Sequence, residues 1–341
     1  MFDKKIRKSR FNVIILITLS ISILLNIFLL QKPNYSELDV NKNSSDKNGQ
    51  LSVKGTNLVN EKGDIVRLKG MSSHGLMWYP EYINTRSLNT LSEYGANTIR
   101  LAMYTDQNKG YVYNKKESMK NLLQGIENVL GADMYAIVDW HTLKDNDPNI
   151  HIEEAKEFFD EISTRYKDEP RVIYEIFNEP NGKTSWNDIK KYANTIIPII
   201  RKNSPNAIIL VGTPNYCVDI KSAINDPLDY KNIMYTYHLY TGTSDGGYKY
   251  LLSDALKNNI PVFISEWGFS PEKNSGEINF KKGREFLEFL NQNNISWINW
   301  SLSNKDEPHS FIRHDIDKLS NWNDDELTSV GKFVKDAFSN Y

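Results

Sequence analysis

The chain has 341 residues, 40% hydrophobic and 12% aromatic, enough to bury a large core in one domain of about 250 to 300 residues. A formal charge of −2 removes the electrostatic basis for a nucleic-acid partner. The single cysteine, Cys217, excludes a disulfide framework, a cysteine-based zinc site and a thiol redox pair.

Lys4, Lys5, Arg7, Lys8 and Arg10 precede an apolar run from Val13 to Leu30, broken only by Thr18, Ser20, Ser22 and Asn26. A basic stretch followed by an apolar one is an export signal or a membrane anchor, so residues 1–30 are a targeting element outside the fold. The run of 18 residues is near the lower limit for crossing a bilayer, and no small-x-small triplet follows it. An uncleaved anchor with its basic end in the cytoplasm is therefore expected, with the rest of the chain outside the cytoplasm; cleavage would secrete it instead. Residues 31–50, among them Pro33, Ser36, Asn41, Ser44 and Gly49, lack apolar periodicity and read as a solvated linker.

Residues 51–341 carry the predicted catalytic domain. A hairpin opens it: Leu51 to Val59, a turn at Asn60–Asp64, then Ile65 to Leu68. Apolar runs at Ile65–Gly70, Asn97–Ala102, Met134–Trp140, Val172–Phe177, Ala207–Gly212, Ile233–His238, Pro261–Glu266 and Ile295–Ser301 predict eight strands. Between them lie 3.6-residue patterns such as Met119, Leu122, Leu123, Ile126, Val129 and Leu130, or Ile152, Ala155, Phe158, Phe159, Ile162 and Tyr166. Pro198 predicts a kink or a break in the helix around Ile189–Ile200. Strand and helix alternating eight times is the pattern of an α/β (β/α)8 TIM barrel with a short N-terminal β-hairpin. A doubly wound sheet would want a glycine-rich turn after its first strand, and Gly70 is followed by Met71-Ser72-Ser73-His74.

Chemistry in such a barrel gathers at the C-terminal strand ends. In chain order these ends present His74; Arg100 and Tyr104; Asp139 and His141; Asn178 and Glu179; His238 and Tyr240; Glu266; and Trp300. Glu179 and Glu266 each close a strand where the chain must turn, and two such carboxylates are what acid/base plus nucleophilic cleavage of a glycosidic bond requires. Glu175 is a rival inward carboxylate, but Asn178-Glu179-Pro180 places the turn after Glu179. Arg100, in an otherwise apolar strand, needs a carboxylate partner. The three histidines at strand ends, with Asp139, are either metal ligands or hydrogen-bonding groups for sugar and carboxylates; no tight two-histidine motif favours a metal. Trp300 is a sugar platform or barrel filling, and Trp78 and Trp186 are weaker platform candidates.

Seven strings carry a resemblance. Ser72-Ser73-His74-Gly75-Leu76, Arg100-Leu101-Ala102-Met103-Tyr104-Thr105, Val138-Asp139-Trp140-His141, Tyr174 to Gly182 (YEIFNEPNG), Tyr237-His238-Leu239-Tyr240, Ser265-Glu266-Trp267-Gly268 and Trp297 to Ser303 (WINWSLS) occur in this order over Leu51 to Val334. The chain resembles the retaining endo-β-1,4-glucanases of glycoside hydrolase family 5, bacterial cellulase branch. The resemblance implies Glu179 as acid/base, Glu266 as nucleophile and Asn178 as donor to the sugar 2-hydroxyl. It implies that Arg100 and Tyr240 position and ionise the nucleophile, that His141 and His238 surround the cleaved sugar, and that Trp300 stacks on it. His74, Trp78, Tyr104, Lys305 and Glu307 resemble the lining of the glycone subsites. Met77 stands where the branch usually has Gln, and Tyr216 near a common Trp; Thr241–Tyr250 and Phe311–Asn323 also depart from its pattern. The expected activity is endo-hydrolysis of β-1,4-glucan by a monomer without cofactor or metal, with β-mannan or another β-1,4-glycan as the alternative substrate.

Overall fold

The structure is a computed structural model that describes residues 48–273 and 276–341. The expected anchor and most of the expected linker lie outside the described residues.

The first two strands, β1 (Ser52–Lys54) and β2 (Asn57–Val59), form the antiparallel hairpin. Eight more follow: β3 (Lys69–Ser73), β4 (Thr98–Tyr104), β5 (Tyr135–His141), β6 (Val172–Glu175), β7 (Ile209–Val211), β8 (Ile233–Tyr240), β9 (Val262–Gly268) and β10 (Trp297–Leu302). They close into a barrel in the order β10-β3-β4-β5-β6-β7-β8-β9, every pair parallel. All eight predicted barrel strands are present, with ends shifted by a few residues.

The hairpin departs from expectation in its register. It turns at Gly55-Thr56, where Gly55 has φ +61°, because a tight two-residue turn needs positive φ. The turn expected at Asn60–Asp64 also exists: the Asn60 N–H donates to Asp64 O at 2.9 Å, and Ile65 makes one antiparallel bridge to Val59. Ile65–Leu68 therefore lies beside the hairpin, and the first barrel strand starts at Lys69. Gly70 sits where a Cβ would come within 1.7 Å of Thr98 O, so β3 approaches β4 more closely than any side chain would allow.

Leu51, Leu58, Val66 and Leu68 share one buried cluster with Tyr135, Ile137, Ile173, Ile208, Leu210, Met234, Phe263 and Ile298. These partners sit at or near the N-terminal ends of their strands, so the hairpin plugs that mouth of the barrel and leaves the C-terminal mouth for chemistry. Helices cover the outside through apolar stripes. Ile152–Arg165 buries Ala155, Phe158, Phe159 and Ile162, each large side chain worth about 1.5–3 kcal/mol. The helix Trp186–Asn203 is one element with Pro198 inside it rather than two. Its N-terminus carries a capping box, in which Ser185 accepts from the Asp188 N–H and Asp188 accepts from the Ser185 N–H.

Candidate active site

Strand alternation delivers the residues. On β4, Arg100, Ala102 and Tyr104 share one face; Ala102 and Tyr104 cluster with Trp300 and Tyr240, while Leu101 packs outward near Gly125 of the helix Tyr111–Gly131. A fully buried guanidinium results. Arg100 Nε donates to Glu175 Oε2 at 2.6 Å, Nη1 to Glu266 Oε2 at 2.9 Å and Nη2 to Asn178 Oδ1 at 2.7 Å, with Asp139 Oδ2 3.1 Å from Nη2. Burial alone would pull Arg100 down; Asp139, Glu175 and Glu266 hold it well above its ordinary value. The partner expected for Arg100 is thus three carboxylates, and Glu175, set aside in the sequence, is one of them.

One cation among three buried carboxylates leaves excess negative charge, so protons must remain. Burial pushes Asp139 up to about 8, Arg100 pulling against it, and also raises Glu175. Asp139 Oδ2 lies 2.6 Å from His141 Nδ1, and burial, with Arg100 in the same sense, pushes His141 down to about 3. One proton between Asp139 and the neutral ring satisfies both.

Glu266 and Glu179 are held differently. Glu266 uses both oxygens: Oε2 accepts from Arg100, and Oε1 accepts from the Tyr240 hydroxyl at 2.8 Å. Tyr240, raised well above its ordinary value by burial and by Glu266, stays a donor. Glu179 bonds through Oε1 to His238 Nδ1 at 2.8 Å and has no partner at Oε2 among the described residues. Burial raises its pKa, with His141 and Arg100 offsetting part of the rise. One atom each of Glu179, His238 and Glu266 lie within 4.8 Å of one another. That trio has donor types a cation would accept, yet Glu266 is taken by Arg100 and Tyr240, and His238 by Glu179 and Ser265. The three histidines weighed as ligands attend three different carboxylates: His74 meets Glu307, His141 meets Asp139 and His238 meets Glu179.

Around this centre the predicted lining divides. Trp300 stacks at 16° on His141, with ring centroids 5.5 Å apart, and lies 5.3 Å from His74. Trp78 is 37% exposed and meets Tyr104 edge-on at 4.7 Å. His74 Nε2 and His309 Nε2 each lie 3.1 Å from Glu307 Oε1, and Lys305 pairs with Oε2. Burial works against Glu307, but His309, His74 and Lys305 hold it well below the ordinary carboxylate range. His309 was not predicted: it sits in a loop beyond β10, where no periodicity marks it. Trp186 is not in this group; its Nε1 donates to Asp226 O at 2.8 Å and its ring packs on Tyr235. Met77 is buried with its sulfur accepting from Ser118 at 3.4 Å, so that departure faces a helix rather than sugar. Tyr216 is 51% exposed on a turn whose N–H donates to Pro180 O.

A family model described as Cellulase (glycosyl hydrolase family 5) matches residues 59–306. Endoglucanase A of Butyrivibrio fibrisolvens is 44% identical over 297 residues, covering 85% of this chain and 69% of that protein. An endoglucanase of Clostridium saccharobutylicum is 42% identical over 289 residues, covering 84% of this chain and 64% of its own length. The chain therefore spans about two thirds of the length of these curated relatives. Among solved structures, the catalytic domain of Thermobifida fusca endoglucanase Cel5A superposes with a TM-score of 0.81 at 32% identity, covering 86% of this chain and 99% of that one. A variant of that domain in complex with cellotetraose matches equally well, at 31% identity. Since the family model covers well over half of the chain and these endoglucanases are 42–44% identical to it over most of its length, the chain belongs to the glycosyl hydrolase family 5 cellulases.

Proposed function

We propose that this chain cleaves internal β-1,4 bonds of glucan by retaining double displacement, with Glu179 as acid/base and Glu266 as nucleophile. The observation that carries the reading is the spacing of the two carboxylates, an oxygen of each within 4.8 Å of the other. Retaining enzymes hold these groups about 5–5.5 Å apart, and inverting ones about 6.5–9.5 Å apart to admit water. Their surroundings sort the roles. Glu266, bound at both oxygens by cationic and hydroxyl donors, is oriented to attack the anomeric carbon; Glu179, raised by burial and open at Oε2, can keep and then give a proton.

In the first step Glu179 protonates the leaving oxygen while Glu266 forms the glycosyl-enzyme. In the second, Glu179 takes a proton from water as that water displaces Glu266. Asn178 is anchored by Arg100 and by its own bond to Thr142 O at 2.9 Å, with a longer contact from the same amide nitrogen to His141 Nε2 at 3.5 Å that the sugar 2-hydroxyl would replace. Trp300 supplies the platform, and His74, Trp78, Tyr104, Lys305 and Glu307 line the glycone side. Soluble cellulose derivative, mixed-linkage glucan, xylan and β-mannan, with product sizing, test the reading. Rapid viscosity loss and oligosaccharide products on the cellulose derivative are expected; action on mannan alone, or monosaccharide released from chain ends, would overturn it.

The raised Glu179 also sets a pH dependence. The acid must carry its proton, so kcat/KM is present below the folded pKa of Glu179 and is lost as pH rises through it. Burial raises that pKa, so the descending limb is expected above the range of an exposed glutamate. A limb at the ordinary carboxylate position would contradict the assignment. The N-terminal segment is proposed to hold the enzyme at the outer face of a membrane, on the basis of its basic residues and the apolar run Val13–Leu30. Cell fractionation and N-terminal sequencing test this: a native chain beginning after Leu30 would mean secretion.

A further inference from the structure

The three backbone carbonyls around Glu179 are all held, and two of their donors come from one turn. Asn178 O accepts from the Cys217 thiol at 2.9 Å, Glu179 O from Asn181 Nδ2 at 2.9 Å and Pro180 O from the Tyr216 N–H at 2.9 Å. Tyr216 and Cys217 belong to the turn Pro214–Cys217, just beyond β7. Asn178 and Cys217 are both buried, and no other donor to Asn178 O is found among the described residues.

Asn215, Tyr216 and Cys217 have φ of +55°, +58° and +60°, the left-handed region that residues other than glycine avoid. Such a run persists only where the surroundings over-determine it. Here the Cys217 N–H donates to Thr213 O at 3.2 Å, and Thr236 Oγ1 on β8 donates to Cys217 Sγ at 3.2 Å. Gly212, at the entry to the turn, lies so close to the acid/base loop that a Cβ would stand 2.9 Å from Phe177 O and 3.1 Å from Asn178 O. The sulfur accepts from Thr236, which leaves its own hydrogen for the carbonyl. Burial, with Glu179 next in the same sense, raises the thiol well above its ordinary value, so that hydrogen stays in place.

The backbone at Glu179 has two soft torsions, which relate the peptide planes on either side of it. Holding Asn178 O and Glu179 O fixes both planes, and Pro180 adds a φ locked by its ring. We propose that Cys217 is a positioning residue: its thiol holds the Asn178 carbonyl and, with the Tyr216 N–H on Pro180 O, fixes the backbone on both sides of Glu179 so that its carboxyl meets the leaving oxygen. This rests on Glu179 being the acid/base. A misplacement on the order of 1 Å costs about 10²-fold in rate, and freedom in this loop moves the acid alone. Glu266 stands on β9 and is held by Arg100 and Tyr240, outside the reach of the turn.

Full-length protein labelled with 13C at asparagine carbonyls and 15N at glutamate gives coupled pairs only at Asn60-Glu61 and Asn178-Glu179, and the second is the pair lost in Glu179→Gln. Its carbonyl signal is expected to move in Cys217→Ala and to return toward the wild-type position in Cys217→Ser, which keeps a donor. An unmoved signal overturns the proposal whatever the activity. Kinetically, kcat/KM reports the first step. Cys217→Ala is expected to lose at least about tenfold more on an aryl cellobioside with a poor leaving group than on one with a good leaving group. Cys217→Gly, whose backbone is at ease at positive φ, protects the fold and should show the same selective loss. Cys217→Ser should recover most of it. Equal losses on both substrates would make Cys217 a packing residue and overturn the proposal. Glu179→Gln failing equally on both would instead sink the acid/base reading, and the carbonyl signal would still show whether the thiol holds this backbone.

Discussion

Glu266→Gln is expected to abolish turnover on every substrate, whereas Glu179→Gln is expected to fail selectively. Glu266 lies within bonding distance of Arg100 and Tyr240, and an amide there has neither the charge to match the guanidinium nor the nucleophilicity to form a glycosyl-enzyme. Glu179 acts on the leaving group, so its loss matters in proportion to how much that group needs a proton. On polysaccharide a decrease of about 10²–10⁴ is expected, the usual contribution of general acid–base catalysis. With an aryl cellobioside the first step should survive, giving a burst of aryl alcohol followed by slow deglycosylation. Added azide, which needs no base, should restore turnover and give a β-glycosyl azide. Burst and rescue in Glu266→Gln, with Glu179→Gln dead on all substrates, would reverse the roles.

Arg100→Ala should cripple both chemistry and stability, and pH should separate the two. Removing the guanidinium leaves Asp139, Glu175 and Glu266 buried without their cation. Breaking a buried pair in this way costs about 3–5 kcal/mol, which lowers the melting temperature by roughly ten degrees in a domain of this size. The sign follows from the raised carboxyls. A group with a raised folded pKa contributes stability that is present at low pH and lost as pH rises through that value. Asp139, up at about 8 even with Arg100 beside it, and Glu175, also raised, go higher still without it. The melting deficit of Arg100→Ala should therefore shrink toward pH 4 and widen toward pH 8, while kcat stays low throughout because Glu266 has lost its orientation. A variant with near wild-type kcat would reduce Arg100 to a structural role; a deficit independent of pH would refute the charge argument.

The parts legible in the sequence are those that local pattern determines. Eight apolar runs separated by helical stripes fit a barrel or a doubly wound sheet, the missing glycine-rich turn after Gly70 favours the barrel, and a glutamate before a Pro or Trp-Gly turn sits at or near a strand end. Arg100 announced itself as a charge in an apolar strand. What it binds depends on pairing across the barrel: Ser72 beside Arg100, Asp139 beside Glu175 and His238 beside Glu266 are registers between strands. The sequence pattern alone made Glu175 look like an alternative to Glu179 rather than the partner of a residue 75 positions earlier. His309 was illegible for the same reason, since it matters only through Glu307 and the side chains gathered on it. The position of Met77 was visible, but its direction was not, because the loop after β3 has no period from which to read a face.

The hairpin that plugs the barrel also determines where the chain can be cut. The family match covers residues 59–306, yet Leu51 and Leu58, which fill the N-terminal mouth, lie outside it. So does the helix Ser329–Asn340, whose Phe338 stacks on Trp297 of β10 with ring centroids 5.4 Å apart and whose backbone oxygen there accepts from Lys69 at 2.6 Å. A fragment trimmed to the matched stretch would expose Tyr135, Ile137, Ile173 and Phe263 to water at one end and one flank of β10 at the other. It would keep Arg100, Glu179 and Glu266 but not the enclosure that holds them. The unit of folding is thus larger than the stretch the family model covers, and a soluble catalytic fragment must begin before Leu51 and run through the last helix.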